Sequence, residues 1–94
     1  MSEFSKQYRE KLLPDQKHAF ADTDPEFVQI FESFAFDEVV NQGDLDDRTR
    51  FMAILAALLG CQGVDEFKVM LPAALNVGVT PVEVKEIVYQ SAAY

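Results

Sequence analysis

Apolar residues recur along this chain at helical spacing, and five stretches stand out. Phe4, Tyr8, Leu12 and Leu13 fall among charges over residues 4–13, which predicts a short amphipathic helix ending before Pro14. Phe27, Ile30, Phe31 and Phe34 follow at the i, i+3, i+4, i+7 spacing of a stripe that belongs in a core or a subunit contact. Phe36, Val39 and Val40 carry that helix to about Gln42, and Gly43 ends it. The run Phe51 to Leu59 is apolar on every side, so a helix there must be surrounded. Phe67, Met70, Leu71, Ala74 and Leu75 mark a fourth helix; Val84, Ile87, Val88 and Ser91 mark the inward face of a fifth. No alternation of strand type is present, so the class is all-α.

The polar punctuation agrees with these helices. Gly78 can adopt the left-handed conformation past a helix end, Thr80 can cap the next helix, Pro81 suits its first position and Glu83 completes a capping box. The last two helices therefore form a hairpin. The second helix starts at Thr23 or Asp24: Pro25 favours Asp24, whereas Glu26 favours Thr23. Asp44, Asp46 and Asp47 oppose the positive end of the third helix, Gly60 terminates it, and Cys61-Gln62-Gly63 is a tight connection. Pro72 predicts a kink near Lys68 to Pro72, or a break that shortens the fourth helix. His18 and Phe20 fall in a connecting loop, where His18 reads as a solvated residue.

Composition adds self-association to this picture. A chain of 94 residues buries little more than about 60% of its unfolded surface, yet nearly half of these residues are apolar and eight are Phe. The apolar third helix is the expected contact between copies. Residues 1–22 read as a short helix and loop, and 23–94 as the main helical domain. The net charge is −8, and beyond residue 20 the chain carries four Lys/Arg against thirteen Asp/Glu, which disfavours nucleic acid and anionic membrane surfaces. The longest apolar run is too short to span a bilayer. One cysteine excludes an intrachain disulfide, a multi-thiolate zinc cluster and a Cys-x-x-Cys pair, and fits a reducing cytoplasm. Without a Gly-rich phosphate loop or a metal-ligand cluster, no cofactor or metal is expected.

Leu45-Asp46-Asp47-Arg48-Thr49-Arg50, the Ala- and Leu-rich helix after it, and Ala73 through Ile87 with Gln90 and Tyr94 resemble the carboxymuconolactone decarboxylase family, which also holds the alkylhydroperoxidase D proteins. The likeness covers about residues 36–94. It implies an alkylhydroperoxidase D-like helical bundle assembled into trimers or hexamers, with decarboxylase (lyase-type) or peroxidase-type activity on a small carboxylated or peroxidic compound. The family's last helix continues further, so the chain resembles the first part of a longer protein or a shortened one. The peroxidase branch keeps a Glu, a Cys-x-x-Cys pair and a His; the matching places here hold Phe51, Gly63, Glu66 and Met70. The decarboxylase branch often has an acidic residue at the place of Glu66.

That likeness turns several residues into candidates, each with a plainer alternative. Cys61 is a buried inert thiol or a reactive one. Asp65 and Glu66 are first-turn charges, or Glu66 faces a pocket lined by Phe51 and Met70 and shuttles protons. Arg48, Arg50 and Lys68 either pair with Asp44, Asp46, Asp47 or Glu86, or hold the anionic end of a substrate. Without catalysis, the chain is an oligomeric binding or scaffold module, or half of a two-module protein.

Overall fold

Caps set the helix boundaries in the computed structural model, which describes residues 2–94. The described residues are all-helical, and they group into two units, one running through Asp44 and the other from Leu45 to Tyr94.

In the first unit, α1 spans Glu3–Leu12, and the Ser2 hydroxyl at its start accepts from the Ser5 N–H at 3.0 Å. Glu3 in the first turn and Arg9 and Lys11 in the last match the helix dipole. Tyr8, Leu12 and Leu13 are buried. Asp15 then takes a left-handed conformation that turns the chain away. Helix α2 spans Pro25–Ser33; its cap is Asp24, whose carboxylate accepts from the Phe27 N–H at 3.1 Å.

The rotation of α2 differs from the expectation. Its buried residues are Val28 and Glu32, while Phe27, Ile30, Phe31 and Phe34 are exposed, so the stripe is not part of this chain's core. The cause is a nonlocal ion pair: Arg9 Nε donates to Glu32 Oε2 at 2.6 Å, tying α1 to α2 with both side chains largely covered. At roughly 100° per residue, turning Glu32 inward turns the Phe stripe out.

The regular helix also stops earlier than expected, at Ser33. A π-turn over Phe34–Glu38 follows, in which the Val39 N–H donates to the Phe34 carbonyl at 2.9 Å, and a 3-10 turn covers Val40–Gln42. The wider turn shifts the register and brings Phe36 and Val40 inward, with Phe36 against Tyr8 at a ring separation of 6.1 Å. In the loop before α2, His18 is not simply solvated. Its Nδ1 accepts from the Phe20 N–H at 3.0 Å, and its ring lies 5.5 to 6.5 Å from those of Phe20, Phe27 and Phe31.

The second unit holds α3 (Asp47–Gly60), α4 (Val64–Asn76) and α5 (Pro81–Ala93). Asp46 caps α3 by accepting from the Thr49 N–H at 3.1 Å. Helix α3 packs against both α4 and α5. Phe51 and Leu55 from α3 meet a core completed by Met70, Ala73 and Ala74 of α4, Val79 of the connection and Ile87 of α5. Helix α3 is not wrapped on all sides: Ala53, Ala56 and Ala57 are exposed. Helix α4 runs through Pro72 without the break considered above. That proline is exposed, and the partner it denies is the Lys68 carbonyl.

The α4–α5 hairpin follows its local signals. Gly78 has φ +99°, and the Val79 N–H returns to the Ala74 carbonyl at 3.0 Å. Thr80 and Glu83 form the reciprocal box, at 3.2 Å for Glu83 N–H to Thr80 Oγ1 and 3.0 Å for Thr80 N–H to Glu83 Oε1.

Candidate functional site

The short link between α3 and α4 makes them an antiparallel pair, and this sorts the candidate residues by end. Cys61 and Glu66 lie at the end that holds the link; Arg48 and Arg50 lie at the other. Arg50 and Cys61 stand eleven positions apart along α3 and its cap, about 16 Å at 1.5 Å per residue. One copy of the chain therefore does not bring the two arginines to Glu66.

At the link, Gln62 adopts a left-handed conformation (φ +62°) and the Gly63 N–H donates to the Leu58 carbonyl at 2.7 Å. This tight turn leaves the Cys61 thiol exposed rather than buried, lying back over α3 with Sγ 3.6 Å from the Leu58 carbonyl. A Cβ at Gly63 would stand 3.4 Å from that sulfur and 3.3 Å from Leu58 Cδ2. A side chain at residue 63 would therefore begin in contact with the thiol of residue 61 and press slightly on Leu58. Glu66 and Asp65 are exposed in the first turn of α4, which has no side-chain cap.

Phe51 and Met70 are core residues, 1% and 9% exposed, and Glu66 stands one helical turn before Met70 on the solvent side. Lys68 is exposed with no ion pair among the described residues, and two positions from Glu66 it projects from nearly the opposite side of α4. Arg50 is held by the Asp47 carboxylate and donates to the Leu45 carbonyl. Arg48 pairs with Glu83, joining α3 to α5, a partner absent from the acids considered above. Both guanidinium groups thus already have carboxylate partners.

An open cleft of about 380 Å³ lies between α3 and α5, with Met52, Ala56 and Ile87 as its apolar part and Glu83, Glu86, Gln90 and Ser91 as its polar part. None of the seven candidates lines it. Its carboxylates make it unsuited to an anion, because the nearby Arg48 is already paired with Glu83. The signal for it lay in the spacing of Glu83, Glu86, Ile87 and Gln90 on one side of α5, opposite Met52 and Ala56 one turn apart on α3.

Asp46 is a carboxylate whose affinity for a proton is clearly changed. The Thr49 hydroxyl, followed by the Thr49 backbone N–H, holds it below its ordinary value of 3.8. Among the described residues, no group of three or more His, Cys, Asp or Glu is placed to hold a metal ion, and no helix is long and apolar enough to cross a membrane.

Comparison with known proteins gives two matches of different kinds. The model of the carboxymuconolactone decarboxylase family matches residues 25–94, further toward the N-terminus than the likeness over 36–94. A 4-carboxymuconolactone decarboxylase from Acinetobacter baylyi is 33% identical over 73 residues, covering 78% of this chain and 54% of that protein. The chain thus spans about half the length of this curated relative. No solved structure matches it.

Proposed function

Because the chain belongs to the carboxymuconolactone decarboxylase family, we propose that it acts, as an assembly of copies, on a small carboxylated compound of the unsaturated lactone class, removing carbon dioxide. The observation that carries this reading is the position of Glu66, an exposed carboxyl in the first turn of α4, where the likeness to the decarboxylase branch implies an acidic residue. In such a reaction the bond to the departing carboxylate breaks, its electron pair passes into the conjugated carbonyl, and the resulting carbon takes a proton. Glu66 supplies that proton and regains one from water. Phe51 and Met70 cannot exchange protons and contribute only packing.

A cation must hold the substrate before the bond breaks. Arg50 lies at the far end of α3 and Lys68 on the other side of α4, so we assign this role to Arg50 or Lys68 of a neighbouring copy. That requirement supports assembly as trimers or hexamers, as does the exposed Ala53, Ala56 and Ala57 surface of α3. Cys61 neighbours the site without a second thiol, so no dithiol peroxidase chemistry is assigned to this chain. A lone thiol fits a reducing cytoplasm.

The test is direct. A carboxylated unsaturated lactone should raise the melting temperature saturably and release carbon dioxide. Glu66→Gln should reduce turnover at least ten-fold, and full turnover by that variant would remove Glu66 from the mechanism. Robust reduction of an organic hydroperoxide with a dithiol donor would overturn the assignment away from peroxidase.

A second reading is favoured by the burial of Phe51 and Met70: a binding or scaffold module that keeps the fold without catalysis. Saturable binding of the lactone with no carbon dioxide release would support it.

A further inference from the structure

The α2 face that turns away from its own core is unusually apolar. Phe20 is 52% exposed, Phe27 45%, Ile30 70%, Phe31 37% and Phe34 57%. Phe20 meets Phe27 at 6.3 Å and Phe27 meets Phe31 at 6.0 Å, with the His18 ring against all three, so the rings form a continuous surface that Ile30 and Phe34 extend along the helix.

At about 200 Å² per side chain, the exposed part comes to about 500 Å². That stands in the upper part of the range of about 300–600 Å² for the largest apolar patch of a monomer, and such patches often mark a contact site. One side of a standard interface is about 800 Å², somewhat over half of it apolar, so this patch supplies the whole apolar part of one side.

We infer that this face is an interface between two copies of the chain, with α2 packed antiparallel on its mate about a two-fold axis near Ile30. This rests on the assembly reading above and names a surface for it separate from α3. The stripe itself carries no charge, so it needs no oppositely charged partner, and a ridge of side chains at i, i+3, i+4 and i+7 can seat in the matching groove of an identical helix. The surrounding unit is acidic, with four Lys/Arg against ten Asp/Glu through Asp44, net −6. Copies therefore repel at long range, and salt should strengthen their association, whereas salt would weaken the docking of a basic partner.

Sedimentation velocity of the full chain at increasing concentration and salt tests this. The expected result is a species larger than one chain, favoured by salt. Ile30→Lys should weaken association at least ten-fold with unchanged helical circular dichroism, because Ile30 supports no core. Ile30→Cys in a Cys61→Ser background should give a covalent dimer on mild oxidation, as the two-fold axis demands. Undiminished association of Ile30→Lys, or no covalent dimer from Ile30→Cys, would overturn the α2 interface. If Ala57→Glu then dissociated the protein, assembly through α3 would stand alone. A single chain at every concentration and salt would overturn both surfaces.

Discussion

Arg9 and Glu32 decide more about the first unit than any apolar residue there. Their bond fixes the rotation of α2 over a separation of 23 positions, which explains why the outward stripe was not legible from local spacing. Arg9→Met leaves a covered carboxylate without its cation and should cost about 3 kcal/mol in chemical denaturation. Adding Glu32→Leu should recover most of that loss, and no recovery would show that the pair does not set the helix rotation. In the second unit, Cys61 behaves oppositely to the general habit of free thiols, because the left-handed Gln62 turns it outward. A neutral alkylating reagent should modify it in the folded protein at a rate near that of the unfolded chain; complete protection would contradict the exposed thiol. Asp46 gives a pH signature. Its folded form binds a proton less readily than the unfolded form, so the stability it contributes is present above the ordinary value of 3.8 and lost as pH falls through its lower folded value. Asp46→Asn keeps a cap but should remove that part of the acid sensitivity, read as the loss of helical signal while pH falls below 3.8.

Helix ends were legible where one or two neighbouring residues determine them. Thr80, Pro81 and Glu83 act within a single turn, and the observed box has the expected bonds. Thr80→Ala should lower the unfolding free energy by about 1 kcal/mol, with Thr80→Ser close to the parent protein in thermal unfolding. Asp24 likewise resolves a choice that the sequence left open between two caps. The π-turn was not legible, because nothing in Phe34 to Glu38 distinguishes it from ordinary helix; only its outcome, Phe36 packed against Tyr8, gives a reason for it. Pro72 reads as a helix breaker in isolation, yet α4 continues because its ring faces water while Met70, Ala73 and Ala74 pack on the other side. The candidate site shows the same division. Glu66 at a helix start was visible from sequence, whereas the α3–α5 cleft depends on residues that meet only after folding.

At the scale of the whole molecule, family membership and the all-helical fold agree, while the proposed chemistry needs more than one copy. The two arginines and Glu66 lie at opposite ends of the α3–α4 pair, so concentration should matter to catalysis as well as to size. The second unit has its own internal logic: α3 is the shared wall on which both α4 and α5 lean, with Leu55 fully enclosed. Neither neighbour can leave without stripping part of that wall, so the middle of α3 should be the last place to take up deuterium from heavy water. Amides around Phe51 to Leu55 should exchange only when the entire three-helix unit opens, and the outer turns of α5 well before; rapid labelling of α3 would mean that its neighbours detach one at a time.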